Sequence, residues 1–437
     1  LRTPAQLMAA NERQLKSWIG EADAILAVSV FGDPARRLKD ALDRHARPQA
    51  RLLAMNGEAS LSLMSRGLDG PGSLADFPPE TLRQLAQEKI PDSALSAARN
   101  HPTAARWLAA RQLWQGWGAD NTTALFAHLL DARRPLPPPR PEPALRVRQE
   151  KQELSDARAW TAGRTLGLTA APTTVVLDLA NMDGSAPAAL CAALAARQTP
   201  CVQILARWGG TSREVIERLP EILAPARVGS LVVLQDFVVG AAEGRDAVTQ
   251  ALQRLNVPVI KALRLTERNA TQWRLSPDGL PADSVQYRVA LPELQSIGQP
   301  IVVSALGPVR ADARTGLSLR PPVALPAEVD RLAARVARWH ALAAKANAEK
   351  RVAVIYYNHP PGRQNIGADN LDVPHSLFEM LTALKAAGYR TGELPASPEA
   401  LLDRIMAEGV NLPEDRAALR ELAAMVNTLG QDDYRRW

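Results

Sequence analysis

Short runs of apolar, strand-forming residues alternate along this chain with longer stretches whose apolar positions recur every three or four residues. Ala24–Phe31 and Arg51–Met55 predict two strands. Gly32-Asp33-Pro34 reads as a turn and helix start, because proline is tolerated where a helix leaves an N–H unpaired anyway. From Pro79 to Arg134 the pattern is helical, and Trp107, Leu108, Leu113, Trp114 and Trp117 predict a tryptophan-rich helix packed in a core. In the middle of the chain, strands are predicted at Thr173–Ala180, Cys201–Ala206, Ser230–Gln235 and Pro258–Leu265. Helices are predicted between them at Ala186–Arg197, Ser212–Leu219 and Arg245–Leu255. Continuously apolar strands separated by amphipathic helices imply a parallel sheet covered on both faces. Such a sheet binds ligands beyond the carboxyl ends of its strands. Asn181-Met182-Asp183-Gly184 and Arg207-Trp208-Gly209-Gly210 occupy two of those ends, and neither is a GxGxxG nucleotide fingerprint.

Arg134–Pro143 holds six prolines in ten positions, which forces an extended, non-helical chain and marks a junction. A long helix, about Glu328 to Asn347, carries Leu332, Val336, Trp339 and Ala343 on one stripe and leads into a strand at Val352–Tyr357. The fold class expected is therefore α/β and multi-domain, with Rossmann-like or flavodoxin-like parallel sheets and helical segments. Residues 1–133 form an N-terminal α/β and helical domain, 134–146 a proline-rich linker, 147–350 an α/β domain with a parallel sheet, and 351–437 the start of a further α/β domain. One strand, one loop and a few helices do not close a core, so the natural chain is expected to continue past Trp437. The missing initiator Met suggests that it also begins earlier.

Composition narrows the function classes. At 437 residues, 46% hydrophobic and 22% charged, the chain is globular rather than disordered, and no apolar run reaches bilayer length. No targeting peptide is apparent. Cys191 and Cys201 lack metal-ligand spacing and are too few for a disulfide framework, so both are expected as buried thiols in a reducing cytoplasm. The net charge of +6 comes from Arg spread among Glu and Asp, without the basic, aromatic-interleaved block of a nucleic-acid surface. No GxxxxGK[ST] and no Gly-Lys dipeptide occurs, which argues against ATP hydrolysis by this polypeptide. The histidines form no HxxxH or HExxH pattern, and His340 is expected to be solvated on its helix.

The chemistry is concentrated after Val352–Tyr357, in the loop 358–370 that precedes a helix opened by Pro374 and closed near Gly388. Asn358, His359, Arg363, Asn365, Asp369 and Asn370 supply imidazole, guanidinium, carboxylate and amide groups on what would be the ligand edge of a sheet. That polar set suits an anionic or metal-bearing ligand. A long loop held by its own side-chain-to-backbone hydrogen bonds is the plainer alternative.

Asn358, Pro360, Gly362, Asn365, Gly367, Asp372, Pro374, Ser376 and Leu377 also fall on a pattern that resembles the cobaltochelatase large subunits and magnesium-chelatase H subunits. Two further stretches resemble the same family in the same order: Leu113–Asn121, similar to its "YWxxGGxxN" helix entry, and Gly279–Leu294, similar to its "GLsP…VALPELDG" segment. Trp117 stands in place of a usual glycine, and Gln295-Ser296 in place of Asp-Gly. Tyr357-Asn358-His359-Pro360-Pro361-Gly362 is closer to the cobalt branch.

The resemblance implies the front portion of a tetrapyrrole-binding subunit that inserts Co2+, as substrate metal, into hydrogenobyrinic acid a,c-diamide on the aerobic route to cobalamin. ATP is then hydrolysed by an AAA+ motor pair of partner subunits. The resemblance further implies that the catalytic carboxylate and histidine lie beyond Trp437, with Glu293 structural. A magnesium chelatase acting on protoporphyrin IX, a noncatalytic tetrapyrrole- or partner-binding scaffold and, from the α/β pattern alone, a sugar-nucleotide transferase are the alternatives.

Overall fold

An eight-stranded sheet organises the middle of the chain, built from strands that the apolar runs foreshadow and from one central and three edge strands that they do not. The computed structural model describes residues 2–68, 72–87, 90–182, 184–313, 317–358, 366–367, 371–408, 416–425 and 429–436. It divides into two compact units, Leu1–Val336 and Ala337–Trp437.

The first unit opens with a two-stranded parallel sheet, β1 (Ala24–Val28) and β2 (Arg51–Met55), connected through helix α1 (Gly32–His45). Helices α2 (Pro102–Gly116) and α3 (Gly118–Leu130) pack on it. Trp107 is buried among Leu53, Met55, Leu113 and Leu125, and its indole N–H donates to the Ala54 carbonyl at 2.8 Å. The expected tryptophan-bearing core helix is therefore present.

The proline-rich stretch after α3 is strapped down. Asn121, buried in α3, accepts from the Arg140 N–H at 2.8 Å and donates to the Arg140 and Trp117 carbonyls, while the Glu142 N–H bonds the Gly116 carbonyl at 2.7 Å. A segment too rich in proline to make a ladder is thus tied down at single points, by the Asn121 amide and by one backbone bond.

The large sheet comprises β3 (Leu145–Gln149), β4 (Gln152–Ser155), β5 (Pro172–Leu179), β6 (Cys201–Ala206), β7 (Arg227–Val233), β8 (Val259–Asn269), β9 (Gly298–Leu306) and β12 (Pro322–Ala324). A separate small hairpin pairs β10 (Arg310–Asp312) with β11 (Leu317–Leu319). The order across the large sheet is β12-β9-β8-β7-β5-β6-β3-β4. Its five central strands, β9-β8-β7-β5-β6, are parallel, and the additions at both edges are antiparallel. Counted from β5, the central order is 2-1-3-4-5, the flavodoxin-like arrangement, with its topological switch point between β5 and β7.

The helices that cross between the parallel strands are α4 (Ser185–Ala195), α5 (Gly210–Glu217) and α6 (Ala241–Leu255), and α7 (Pro326–Ala344) follows the sheet. Alternation along each strand splits the interior in two. Val175, Leu177, Val202, Ile204 and Val233 pack with α5 and α6 on one face. Val176, Val232 and Ile260 pack with Leu190 and Leu194 of α4 and Leu332 and Val336 of α7 on the other. Each fully buried Val or Leu contributes about 1.5–3 kcal/mol relative to exposure.

Two expectations are corrected here. Cys191 and Cys201 form a disulfide and are only partly buried. The crossover from β5 through α4 to β6 brings the second half of α4 back over the start of β6. Its Cα–Cα separation of 5.3 Å lies within disulfide reach.

The second correction concerns Val352–Tyr357, which is not a buried strand. Residues 351–356 have no strand structure, and only Tyr357–Asn358 (β13) pairs, antiparallel to Ile366–Gly367 (β14). No other strand of the second unit lies among the described residues, so the segment has no ladder to join. Ile355 is 94% exposed.

Helix α8 (Val373–Ala386) forms as expected, capped by the Asp372 carboxylate, which accepts from the His375 N–H at 3.1 Å. Gly388 follows it at φ +84°, the left-handed geometry of a helix stop. It packs with α9 (Pro398–Glu408) through Leu377, Phe378, Leu381 and Leu401. His340, expected to be solvated, is half-buried, and burial pushes its pKa down. Among the described residues, no helix is long and apolar enough to cross a membrane.

Candidate functional site

The carboxyl edge of the sheet gathers the most concentrated chemistry in the first unit. Asp178, at the end of β5, is fully buried, and its Oδ2 accepts from Arg264 Nη2 of β8 at 2.6 Å. Lys261, one turn of the pleat earlier on β8, is also fully buried. Its Nζ donates to the Gln235 carbonyl at 2.6 Å and to Asp236 Oδ1 at 2.9 Å, both just beyond β7. Gln235 bridges the switch point: its amide donates to the Asp178 carbonyl at 3.1 Å and to the Ala206 carbonyl at 3.3 Å, which joins the ends of β5, β6 and β7. Arg288 completes the set, with Nε 3.4 Å from Asp236 Oδ2 and with donations to Glu267 at 3.0 Å and to Thr266 Oγ1 at 2.5 Å.

Three buried cations thus face three carboxylates, which is the pairing that burial of charge demands. The protonation preferences follow from the surroundings. Burial pushes the Asp178 carboxyl up, against the pull of the Arg264 guanidinium. Burial pushes the Lys261 ammonium down, against the pull of Asp236. At Glu267 burial acts upward, but the Thr266 hydrogen bond and the Arg288 charge outweigh it and hold the carboxyl below its usual range. Gln235 Oε1 is buried without a hydrogen-bond partner, the kind of orphan that calls for an explanation, while Arg288 Nε has only its ion-pair contact with Asp236.

Unusual backbone surrounds this cluster. Arg288 lies on a π-helical turn, Gln286–Ala290, a geometry frequent at functional sites. Phe237 and Ala241 hold φ near +60°, a conformation costly for a side-chain-bearing residue. The Phe237 N–H donates to the Tyr287 carbonyl at 2.7 Å, and the two rings stack at 5.0 Å with 19° between planes. Phe237 and Trp208 are exposed at this edge. Helices α4, α5 and α6 all start here, from Gly184, Gly209 and Gly240, with no side chain capping their first N–H groups. The edge therefore carries exposed aromatic rings and helix starts without side-chain caps above a buried, internally paired charge cluster.

The loops 181–184 and 207–210 that the sequence placed at strand ends are here, with Asp183 outside the described residues. The network residues Asp178, Asp236, Lys261, Arg264, Glu267 and Arg288 were not anticipated. A signal was available: Lys261 and Arg264 stand inside the apolar run of β8, where both faces are buried and a charge must find a partner.

Of the loop residues singled out from sequence, Asn358 contributes its backbone to β13. His359, Arg363, Asn365, Asp369 and Asn370 lie outside the described residues. Glu293 is exposed. Among the described residues, no group of three or more His, Cys, Asp or Glu is placed to hold a metal ion.

A family model described as CobN/Magnesium Chelatase matches residues 111–437. The chain belongs to the CobN/magnesium chelatase family. It is 35% identical over 202 residues to the chloroplastic magnesium-chelatase subunit ChlH of Oryza sativa subsp. indica, a match covering 45% of this chain and 14% of that protein. It is 33% identical over 182 residues to the aerobic cobaltochelatase subunit CobN of Pseudomonas aeruginosa, covering 41% and 14% respectively. The matched part thus spans a small fraction of either relative. A solved structure, the catalytic subunit of cobaltochelatase from Mycobacterium tuberculosis, aligns over 92% of this chain and 31% of its own, with TM-score 0.49 and 21% identity.

Both positions where the resemblance leads one to expect glycine hold a left-handed backbone. Trp117, where the family favours glycine, sits at φ +54° between α2 and α3, and Ser296, also at a glycine position, sits at φ +64°. Both conformations favour glycine. Trp117 is held by the Asn121 amide on its carbonyl and by the Arg207 guanidinium 5.4 Å from its ring centroid. Beside Ser296, buried Gln295 accepts from the Val239 N–H at 2.7 Å and donates to the Val239 and Arg245 carbonyls. This segment is thereby clamped to the start of α6.

Proposed function

We propose that this chain forms part of the large, tetrapyrrole-binding subunit of an ATP-dependent cobaltochelatase and grips the macrocycle at the carboxyl edge of its sheet. The observation that carries the reading is the charge cluster flanked by stacked aromatic rings at the carboxyl edge of the sheet, in a chain of a chelatase family. A planar ring bearing peripheral carboxylates needs flat apolar contacts and anion-stabilising groups. Phe237, Tyr287 and Trp208 offer the first. The starts of α4, α5 and α6, which lack side-chain caps, offer the second. Asp236 and Glu267 are engaged by Lys261 and Arg288, so their role is to fix those cations rather than to remove pyrrole protons.

On this reading Co2+ is the substrate metal, the ring is hydrogenobyrinic acid a,c-diamide, and AAA+ partner subunits in the cytoplasm hydrolyse the ATP. The loop 358–370, with Asn358, His359, Arg363, Asn365, Asp369 and Asn370, is proposed as a second ligand-facing segment. The division into 1–133, 134–146, 147–350 and 351–437 belongs to the same proposal. The cobalt assignment rests on the wording of residues 357–362. The 35% identity to a magnesium-chelatase subunit favours protoporphyrin IX as the second reading.

Titrating the purified chain with corrinoid and with protoporphyrin IX, followed by absorbance, tests this. The corrinoid is expected to bind more tightly, and Phe237→Ser to weaken it about three- to tenfold through loss of ring stacking. Tighter porphyrin binding transfers the assignment to the magnesium branch. No spectral shift with either ring sinks the proposal.

A further inference from the structure

A cavity lies at the opposite, amino-terminal end of β6, away from the carboxyl edge described above. It occupies about 430 Å3 between the β3–β4 turn and α4, a volume that admits a small molecule. Ala188, Ala192 and Ala195 of α4 form an apolar wall, and the Cys191–Cys201 disulfide forms part of the lining. Both cysteines are partly exposed. The cavity exists because α4 crosses over β5 and β6, whereas the β3–β4 hairpin presents Arg146, Arg148 and Glu153, paired with one another, on its α4 side.

Two acceptors serve the cavity. Gln203, only 6% exposed, lines it with an Oε1 that has no hydrogen-bond partner. Glu150 brings a carboxylate to the rim, and no Lys, Arg or His is among the residues lining the cavity.

We propose that this cavity is a thiol–disulfide exchange site for a small, cationic amino thiol, with Cys191–Cys201 as the bond exchanged. The thiolate of the ligand attacks one Sγ; the new sulfur–sulfur bond forms as Sγ–Sγ breaks, and the displaced cysteine leaves as a thiolate that takes a proton from water. A second ligand thiol resolves the mixed disulfide, so two ligand thiols are oxidised to their disulfide and the two cysteines are reduced. The ammonium of the ligand donates to Gln203 Oε1 and is attracted by Glu150. A carboxylate-bearing thiol meets no cation there and is repelled by Glu150.

The test uses the whole chain and three probes at equal thiolate concentration: cysteamine, 2-mercaptoethanol and mercaptoacetate. Adduct formation at Cys191 or Cys201 is timed by mass spectrometry after alkylation. With each rate divided by that thiolate's rate on a small uncharged reference disulfide, which removes intrinsic nucleophilicity, cysteamine is expected to react at least about fivefold faster than mercaptoacetate, the scale of one charge-assisted contact. Glu150→Gln, at an exposed turn, is expected to reduce that ratio below about twofold, and Gln203→Met to slow cysteamine selectively. A ratio below about fivefold in the native chain, a ratio that Glu150→Gln leaves intact, or two cysteines that alkylate fully before any thiol is added would each overturn the proposal.

Discussion

Replacing Arg264 with Met is expected to lower the unfolding free energy of the sheet-bearing unit by about 3–5 kcal/mol, the cost of stranding a buried charge. The stranded charge is Asp178. It has no exposure, its Oδ2 loses its 2.6 Å partner, and the remaining contact is the backbone N–H of Leu179 at 2.8 Å on the other oxygen. The loss should depend on pH in a definite direction. Burial already raises the Asp178 pKa in the folded state, and a raised carboxyl binds its proton more tightly folded than unfolded. The penalty in the variant is therefore greatest above that raised pKa and fades as pH falls through it. Asp178→Leu combined with Arg264→Met removes both charges and should recover most of the stability. Urea unfolding followed by circular dichroism measures all three. A loss under about 1 kcal/mol for Arg264→Met at neutral pH would mean that the pair is not buried as described.

Trp107→Ala is the second large effect, expected to cost about 3–5 kcal/mol. The ring fills the space between β2 and α2, where Leu53, Met55, Leu113 and Leu125 leave little room to collapse into the cavity. Its loss also strips the Ala54 carbonyl of a 2.8 Å donor, although the Ser65 hydroxyl, 3.3 Å away, still offers one. Trp107→Phe retains most of the volume and should cost markedly less. Thermal unfolding of the two variants separates the contributions, and equal midpoints for Ala and Phe would contradict the packing described.

Sequence made four of the five central strands legible because each is a run that can only be buried, whereas β9 (Gly298–Leu306) was not anticipated. Arg51–Met55 and Cys201–Ala206 form strands with the anticipated bounds, and the anticipated ends of β5, β7 and β8 differ by a few residues. The edge of the sheet was less visible. In β3, Leu145-Arg146-Val147-Arg148 alternates apolar and charged residues, which suits a strand with one wet face, yet it adjoins the proline-rich stretch and reads as linker. Val352–Tyr357 failed in the opposite way: the residues favour a strand, but a strand also needs a neighbour.

The charge network was hidden for a different reason. Asp178 and Arg264 are 86 residues apart, and only the parallel register of β5, β7 and β8 brings them together. The disulfide was missed because spacing alone says nothing about how a crossover helix returns over its next strand. Family membership, by contrast, was legible in short motifs, since they mark places where the backbone needs a particular residue: the Asn121 clamp and the Asp372 cap.

The most direct test of the proposed carboxyl-edge site is hydrogen–deuterium exchange on the chain with and without bound corrinoid. Protection should concentrate in residues 207–210, 236–241 and 286–290, which bring Trp208, Phe237 and Tyr287 to the carboxyl edge. Bound ligand that leaves those three segments unchanged while protecting others would contradict the account.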